Sequence, residues 1–165
     1  MATYKSELAT NATAQPVVKT NPEKTGQAYN AGETFSLTTD HDAADVILMF
    51  PVPTNTTVRA LLFSTDGAST TGAADFGLYT LGNDGTTLTA VDVDLFASAQ
   101  VVTSALTRSD ITGEAGTITI NERFVPLWEA AGAASDPTGV YWVALTVTTD
   151  VDDTTVIGLE IEGVF

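Results

Sequence analysis

The sequence predicts an all-β protein: an antiparallel β-sandwich, jelly-roll-like, with one short helix and an extended N-terminal arm. Two observations predict this class. From residue 31 onwards, short apolar runs rich in β-branched and aromatic residues alternate with turn residues. Only one stretch has helical spacing, and it is too short to be stable alone. The 165 residues contain no cysteine and no internal repeat, which suits one domain over residues 31–165.

Residues 1–30 predict an arm rather than part of the core, because they lack a periodic apolar pattern and contain Pro16 and Pro22. The arm is near neutral, with three lysines beside two glutamates. It is either a frayed terminus or a tether that becomes ordered on a partner. For the tether we expect contacts from aromatic, aliphatic and basic side chains: Tyr4, Lys5, Val17, Val18, Lys19 and Tyr29.

Residues 45–65 contain two apolar runs, 46–50 and 58–63, which are joined by a segment with two prolines. We predict that the runs form a pair of central antiparallel strands. Neither run alternates cleanly between apolar and polar residues, so both faces of the pair would need cover. A short helix, the arm or a neighbouring subunit is expected to supply it.

Other strands are predicted around this pair. Residues 34–38 alternate with Phe35 and Leu37 inward, and residues 75–81 and 86–91 form a hairpin around an Asp-Gly turn. Residues 92–98 are predicted to turn and to bury Phe96, and short strands are predicted at 101–102 and 117–120.

The helix is predicted at residues 126–132, with proline at its first position and glycine at its C-terminal cap. Four side chains share helical spacing, and Trp128 is expected to be largely buried: Phe124, Leu127, Trp128 and Ala131. Two alternating strands follow, at 140–149 and 155–165. Their predicted inward residues are Tyr141, Val143, Leu145 and Val147 on the first strand, and Ile157, Leu159 and Ile161 on the second.

The charge disfavours two classes of partner. Twenty-one acidic residues against six basic ones give a net charge of −15, which would repel the phosphates of DNA or RNA. No apolar run approaches the roughly 20 residues that a membrane helix needs. We therefore expect no nucleic-acid partner and no membrane partner.

Few residues could carry chemistry. His41 is the one histidine, within an acidic turn, and no Gly-x-Ser-x-Gly motif accompanies it. Two aspartate pairs could offer oxygen ligands to Ca²⁺, although turn-forming aspartates explain them equally well, and no complete calcium-loop motif is present. The pairs are Asp92 with Asp94, and Asp150 with Asp152.

Several short patterns together resemble small virion structural proteins of tailed viruses, of the phage head decoration or minor capsid type. They cover roughly residues 30–165 and comprise Asp45-Val-Ile-Leu48, Pro51-x-Pro53, residues 58–63, Phe76-Gly-Leu-Tyr79, Asp92-x-Asp94-x-Phe96, Leu127-Trp-Glu129 and Asp136-Pro-x-Gly139. The resemblance implies no enzymatic activity and no cofactor. It implies binding to a major capsid protein or other virion subunits, homo-oligomers on the particle, and a place on the capsid surface after assembly in the host cytoplasm.

Two other classes remain open. A carbohydrate-binding β-sandwich module, for example of a virion fibre or tail, would expose aromatic side chains on one face or at a loop tip. Most aromatics here occupy predicted inward strand positions. A small hydrolase is disfavoured by the missing nucleophile motif and the single histidine.

Overall fold

The computed structural model describes residues 28–83, 85, 87–119 and 122–165. In this part of the chain eight strands alternate with loops, one 3₁₀ turn and one short helix. The strands are β1 (Ala28–Ser36), β2 (Val46–Pro53), β3 (Thr57–Thr65), β4 (Ala73–Leu81), β5 (Leu88–Val101), β6 (Leu106–Asp110), β7 (Val140–Thr149) and β8 (Val156–Val164). The 3₁₀ turn is Glu122–Phe124, and the helix α1 is Leu127–Ala130.

The strands form two four-stranded antiparallel sheets with the orders β1-β8-β3-β6 and β2-β7-β4-β5. Strands β1 to β4 pair in turn with β8 to β5, as in a long two-stranded ribbon that wraps over itself. Wrapping brings β8 beside β3 and β7 beside β4, which closes the two sheets into an eight-stranded jelly roll. The predicted fold class is confirmed.

The core lies between the sheets. At its centre the rings of Phe63 on β3 and Phe76 on β4 lie 5.0 Å apart, and both side chains are fully buried. The inward residues predicted for the last two strands are buried as expected, while Glu160 and Glu162 point outward. Periodicity was sufficient there because the inward positions of both strands are uniformly apolar, although the other face of β7 also contains Val140, Trp142 and Ala144.

The predicted pairing of residues 46–50 with 58–63 is wrong. Strand β2 is an edge strand of one sheet, whereas β3 lies inside the other, between β8 and β6. Pro51 and Pro53 lack the N–H groups that a central strand must donate, so β2 fits an edge. Each strand contains a bulge, at Met49 and Arg59, which restores the inward apolar face.

The predicted turn at residues 92–98 is also wrong, although Phe96 is buried as expected. Strand β5 continues to Val101 and passes β4 with several irregularities, so that Leu78 faces Asp92 whereas Phe76 faces Ala97. Between these two pairs β5 has more residues than β4, and the backbone of these extra β5 residues crosses directly over Gly77. A β-carbon there would collide with the backbone of Asp92 and Val93.

Three further expectations need correction. Residues 117–119 form no strand, while β6 was not predicted; its five residues are mainly exposed or half-buried and give no periodic apolar signal. Phe35 is not an inward core residue: it lies on the edge strand β1 and is 37% exposed, although Leu37 is buried. Strand β1 begins at Ala28, three residues inside the segment assigned to the arm.

Helix α1 is shorter than predicted and caps the link between β2 and β3. The backbone N–H groups of Leu127 and Trp128 donate to the carbonyls of Thr56 and Thr54, at 2.8 and 3.1 Å. Leu127 is the buried anchor, whereas Trp128 is only half-buried and Phe124 is 80% exposed. Because the helix starts after Pro126, Phe124 does not share its face.

The close crossing at Gly77 predicts that two glycine-to-alanine substitutions have very different effects on the free energy of unfolding. Gly77→Ala should lower the free energy of unfolding by about 3 kcal/mol or more, because the methyl group would push two backbones apart. Gly158→Ala is the matched control: its β-carbon would lie 3.5 Å from the Ser64 side chain, in ordinary contact. We expect a change of about 0.5 kcal/mol or less there. Urea denaturation measures both, and equal effects would contradict the crossing.

The contrast between Leu127 and Phe124 gives a second prediction. Leu127→Ala should cost about 2–5 kcal/mol, because it leaves a cavity at the β2–β3 corner. Phe124→Ala should cost about 0.5 kcal/mol or less, because most of the ring is already in water. A large loss of stability for Phe124→Ala would show that this ring belongs to the core.

Candidate functional site

One end of the sandwich, here called the aspartate end, is formed by the loops at residues 37–45, 66–72 and 150–155. These loops contain no lysine or arginine, and their seven aspartates are Asp40, Asp42, Asp45, Asp66, Asp150, Asp152 and Asp153. Many of the carboxylates accept hydrogen bonds from backbone N–H groups of a neighbouring loop. The cluster therefore ties the loops together.

The predicted candidates Asp150 and Asp152 are examples. Asp150 accepts from the Ala43 N–H at 3.0 Å, and Asp152 accepts from the Thr70 N–H and hydroxyl at 2.6 and 2.8 Å. The Thr70 N–H, followed by its hydroxyl, holds the pKa of Asp152 below its ordinary value. Ionised Asp152 therefore stabilises the folded state. This stabilisation is fully present above the pKa of Asp152 in the unfolded chain, and it is lost as the pH falls through the lower pKa of the folded state.

Asp92 and Asp94 lie elsewhere, on β5 where it passes β4, so the structure does not bring the two predicted pairs together. The Asp94 N–H donates to Asp92 at 3.3 Å. Burial, with a smaller effect from the Asp94 carboxylate, raises the pKa of Asp92. Within the described ranges no three histidine, cysteine, aspartate or glutamate side chains converge as ligands for a metal ion.

His41 lies at the aspartate end, where its backbone bridges to Val151. Its Nδ1 atom is 3.4 Å from an oxygen of Asp45, and its ring meets the Phe35 ring edge-on at 6.4 Å. Neither neighbour is a serine, threonine or cysteine, so these contacts do not form a hydrolytic triad.

These contacts predict the response to calcium. Because the aspartates already bind backbone N–H groups, millimolar CaCl₂ should raise the melting temperature no more than NaCl of equal ionic strength. Differential scanning calorimetry with both salts makes the comparison. A rise specific to CaCl₂, lost in Asp152→Asn or Asp92→Asn, would assign a calcium site to that pair.

The outer face of the β1-β8-β3-β6 sheet carries an open groove of about 630 Å³. Its floor is low because Gly32 and Gly158 have no side chains. The Arg108 guanidinium pairs with both Glu160 and Glu162, with the Glu162 contact at 3.1 Å. The groove is polar, none of the described residues that line it is aromatic, and Arg108 pairs with two of its three carboxylates and leaves Glu33 outside the ion pairs.

The opposite end, here called the Phe124 end, carries the most exposed large apolar side chain of the described residues. Phe124 belongs to a 3₁₀ turn that Thr119 and Glu122 hold in place: the Glu122 carboxylate accepts from the Thr119 N–H at 2.7 Å, and the Glu122 N–H donates to the Thr119 carbonyl at 3.1 Å. The Thr119 side chain and N–H lower the pKa of Glu122. The ring is thus exposed on an ordered turn.

Two hollows flank the Phe124 ring, with volumes of about 540 and 470 Å³. Together with the ring they form what is here called the Phe124 surface. The first hollow is lined by Thr57, Arg59, Arg123, Phe124 and Val164, and the second by Gly113, Gly116, Ile118, Thr119, Arg123 and Phe124. An apolar ridge between two shallow hollows suits apolar side chains of a partner.

The Phe124 surface is also cationic, in a chain of net charge −15. Residues 28–165 contain three arginines, and two of them line this surface. Arg59 is the bulge residue of β3 and has no ion pair within the part of the chain that the structure describes. Arg123 is 3.7 Å from the Asp110 carboxylate. Within residues 28–83, 85, 87–119 and 122–165, the surface therefore offers a guanidinium without an ion pair beside an apolar ring.

The predicted partner-binding residues are only partly described. Tyr4, Lys5, Val17, Val18 and Lys19 lie outside the described residues. Tyr29 lies in β1, where its hydroxyl donates to the Pro51 carbonyl at 2.7 Å and joins the edges of the two sheets. Burial raises its pKa. Phe124 and Arg59 were not predicted as site residues. The signal for the exposure of Phe124 was Pro126, because the helix begins only after this proline.

No described helix is long and apolar enough to cross a membrane. No family model matches the chain, and no curated protein and no solved structure matches it.

Proposed function

We propose that this chain is a non-enzymatic virion structural protein, a capsid decoration or minor head protein that binds other capsid or connector subunits. The observation that carries the proposal is the Phe124 surface. An aromatic ring that is 80% exposed yet fixed on a capped turn has the properties of a protein-binding anchor. Such an anchor loses little conformational entropy on binding.

The fold is compatible with this role. Jelly rolls with this division into two four-stranded sheets occur in viral capsid proteins, and also in lectins and cupins. The architecture alone therefore does not select the function, which depends on the surface that the fold presents.

The chemistry of the described residues favours binding over catalysis. The imidazole of His41 contacts a carboxylate and an aromatic ring, and the exposed pair Glu160 and Glu162 is engaged by Arg108. Most loop aspartates that could act as acids or bases accept hydrogen bonds from backbone N–H groups. These groups hold the fold and leave few free side chains for a reaction.

The charge distribution favours attachment through the N-terminal segment. Residues 28–165 carry three arginines against 19 carboxylates, whereas residues 1–27 carry three lysines against two glutamates. Two of these acidic folded domains repel each other at long range. A near-neutral segment approaches an acidic surface without this electrostatic repulsion. Apolar contacts then hold the body in place.

Deleting residues 1–27 tests the proposal. The deletion stops before Ala28 because Ala28 to Asn30 pair with β8. We expect the truncated chain to keep its melting temperature in dilute solution and to lose incorporation into particles, in both low salt and molar NaCl. The measurement co-expresses the chain with a major capsid protein encoded in the same genome and quantifies the chain in gradient-purified particles.

Two outcomes separate the parts of this proposal. If the full chain does not co-purify with any particle, the virion role is contradicted. If the truncated chain is incorporated at undiminished occupancy, attachment lies on the sandwich and the segment is a frayed end. Gly158→Ala, which leaves the fold and the segment unchanged, is the control for expression and purification.

A carbohydrate-binding module, for example of a virion fibre or tail, is the second candidate. The observation that favours it is the same exposed Phe124, since sugar-binding proteins stack aromatic rings on sugar faces. A glycan array with the full chain and with Phe124→Ala distinguishes the two functions. Specific glycan binding that disappears in Phe124→Ala would replace the capsid proposal.

A further inference from the structure

Strand β1 presents a long edge that no described strand covers. It is the outermost strand of its sheet and pairs with β8 over nine consecutive residues without a register shift. Seven of its nine residues are exposed, and it contains no proline and no lysine, the residues that commonly protect an edge from pairing. Within the described residues this edge is therefore open to a further strand.

The backbone groups of alternate β1 residues point towards this edge. The Leu37 N–H donates to the Thr155 carbonyl in the register that β1 keeps with β8, so the odd-numbered residues bond to β8. The Thr34 N–H agrees with this alternation, because it donates to the Glu33 carboxylate at 3.1 Å. The even-numbered residues direct their N–H and C=O groups to the edge: Ala28, Asn30, Gly32, Thr34 and Ser36.

The other three edges of the sandwich are less suited to pairing. Strand β2 contains Pro51 and Pro53, which lack N–H groups. Strand β5 is irregular along β4. Strand β6 has only five residues, and its Arg108 has a left-handed backbone conformation with φ 49°. Of the described edges, β1 is therefore the one that a further strand fits best.

The backbone of β1 is complementary to a second copy of itself. In an antiparallel pair centred on Gly32, all nine residues of each strand have a partner. Asn30 then faces Thr34 of the second copy, and Ala28 faces Ser36. Because each of the five edge-facing residues donates one bond and accepts one, the two strands can form about ten hydrogen bonds.

The side chains favour the same register. Tyr29 and Ala31 lie on the side of β1 that packs against the core, and Phe35, which is 37% exposed, shares this side. In the pair centred on Gly32, Tyr29 faces Phe35 of the second copy, and such cross-strand aromatic pairs stabilise a sheet. A shift of two residues in one direction places the two Glu33 carboxylates opposite each other. A shift in the other direction leaves Phe35 beyond the start of the second β1.

The charges are compatible with an antiparallel pair, although the chain has a net charge of −15. Strand β1 contains one charged residue, Glu33, and the carboxylates of the adjacent strand β8, Glu160 and Glu162, are paired with Arg108. Antiparallel pairing also places the two aspartate ends at opposite ends of the joined strands, about 27 Å apart or more. The remaining repulsion between the two copies is screened by salt.

We propose that this chain forms a two-fold dimer in which the β1 strands of two copies pair antiparallel about Gly32. The sheets β1-β8-β3-β6 of the two copies then join into one eight-stranded sheet. A second copy is favoured over another segment because β1 matches itself along its whole length. The inference goes beyond the proposed function and uses neither the Phe124 surface nor residues 1–27, which stay available for the particle.

Sedimentation velocity of the full chain, over a concentration series, tests the pairing. We expect a concentration-dependent dimer that strengthens between about 50 and about 500 mM NaCl. Gly32→Pro removes an edge-facing N–H and should give a monomer at every concentration. Gly32→Ala is the matched control and should dimerise, because it keeps this N–H while its β-carbon meets the same Glu160 side chain at 3.1 Å. Melting curves establish that both variants are folded.

A second pair of variants tests the side chains without changing the backbone of β1. Phe35→Asp should abolish the dimer, because it removes both aromatic pairs and adds a carboxylate to each copy. Val101→Asp is its control, since it adds the same charge at a residue that is 49% exposed on β5, and it should dimerise like the wild type. A dimer that persists in both Gly32→Pro and Phe35→Asp would place the interface elsewhere.

A cysteine cross-link tests the register. The chain contains no cysteine, so Gly32→Cys introduces a single thiol. Across the two-fold axis the two Cα atoms of this residue would be about 5.5 Å apart, within the range of a disulfide. We expect Gly32→Cys to form a covalent dimer under mild oxidation, and Ala31→Cys and Gly158→Cys to remain monomers on a non-reducing gel. Cross-linking of Ala31→Cys instead would contradict this register.

Deletion of residues 1–27 distinguishes the possible occupants of the edge. The truncated chain should dimerise like the full chain, because β1 provides the contacts. A full chain that stays monomeric overturns the inference, and dimerisation of the truncated chain alone would then assign the edge to residues 1–27 of the same copy. Loss of the dimer on truncation overturns it as well. These measurements use no particles, so a dimer that is not incorporated contradicts the proposed function alone.

Discussion

The two sheets are held together by the side chains that meet between them, with the rings of Phe63 and Phe76 in contact at the centre. This burial requires the strands that line the core to keep their inward faces apolar, whereas the edge strands β1 and β6 contribute no buried residue. Where the sequence breaks the two-residue alternation, an extra residue restores it, as Met49 does in β2 and Arg59 in β3. The bulge in β3 turns a guanidinium outward beside Phe124, so the packing of the core also places a charge on the surface.

The same requirement explains which parts of the fold could be predicted. Strands β7 and β8 alternate without a break, and their boundaries and inward residues followed from periodicity alone. In the sequence, the bulged strands β2 and β3 cannot be distinguished from strands that are apolar on both faces. The two prolines of β2 were the missing clue, because proline is confined to edge strands. The crossing of β5 over Gly77 depends on a backbone contact between residues far apart in the chain, which no local pattern shows.

The candidate site was harder to predict, for two physical reasons. Aspartates that accept hydrogen bonds from backbone N–H groups and aspartates that ligate metal ions have the same local sequence, so only the three-dimensional contacts distinguish them. Phe124 shares helical spacing with Leu127, so the pattern alone gave no sign that its ring is exposed. Its exposure follows from Pro126, which starts the helix too late to include it. The predicted arm contributed Tyr29 to the fold, as a tie between sheet edges.

The strand order also constrains the sequence of events in folding. Strand β8 lies between β1 and β3, and β7 lies between β2 and β4. Both follow every other strand in the chain, so a ribosome completes the outer strands of each sheet before the strands that join them. Until residues 140–164 emerge, β1 and β2 have no partner in their sheets and expose unpaired edges to other nascent chains. Shielding at this stage is a task for chaperones, and a chain cut short before β7 would retain only the β3–β6 and β4–β5 pairings.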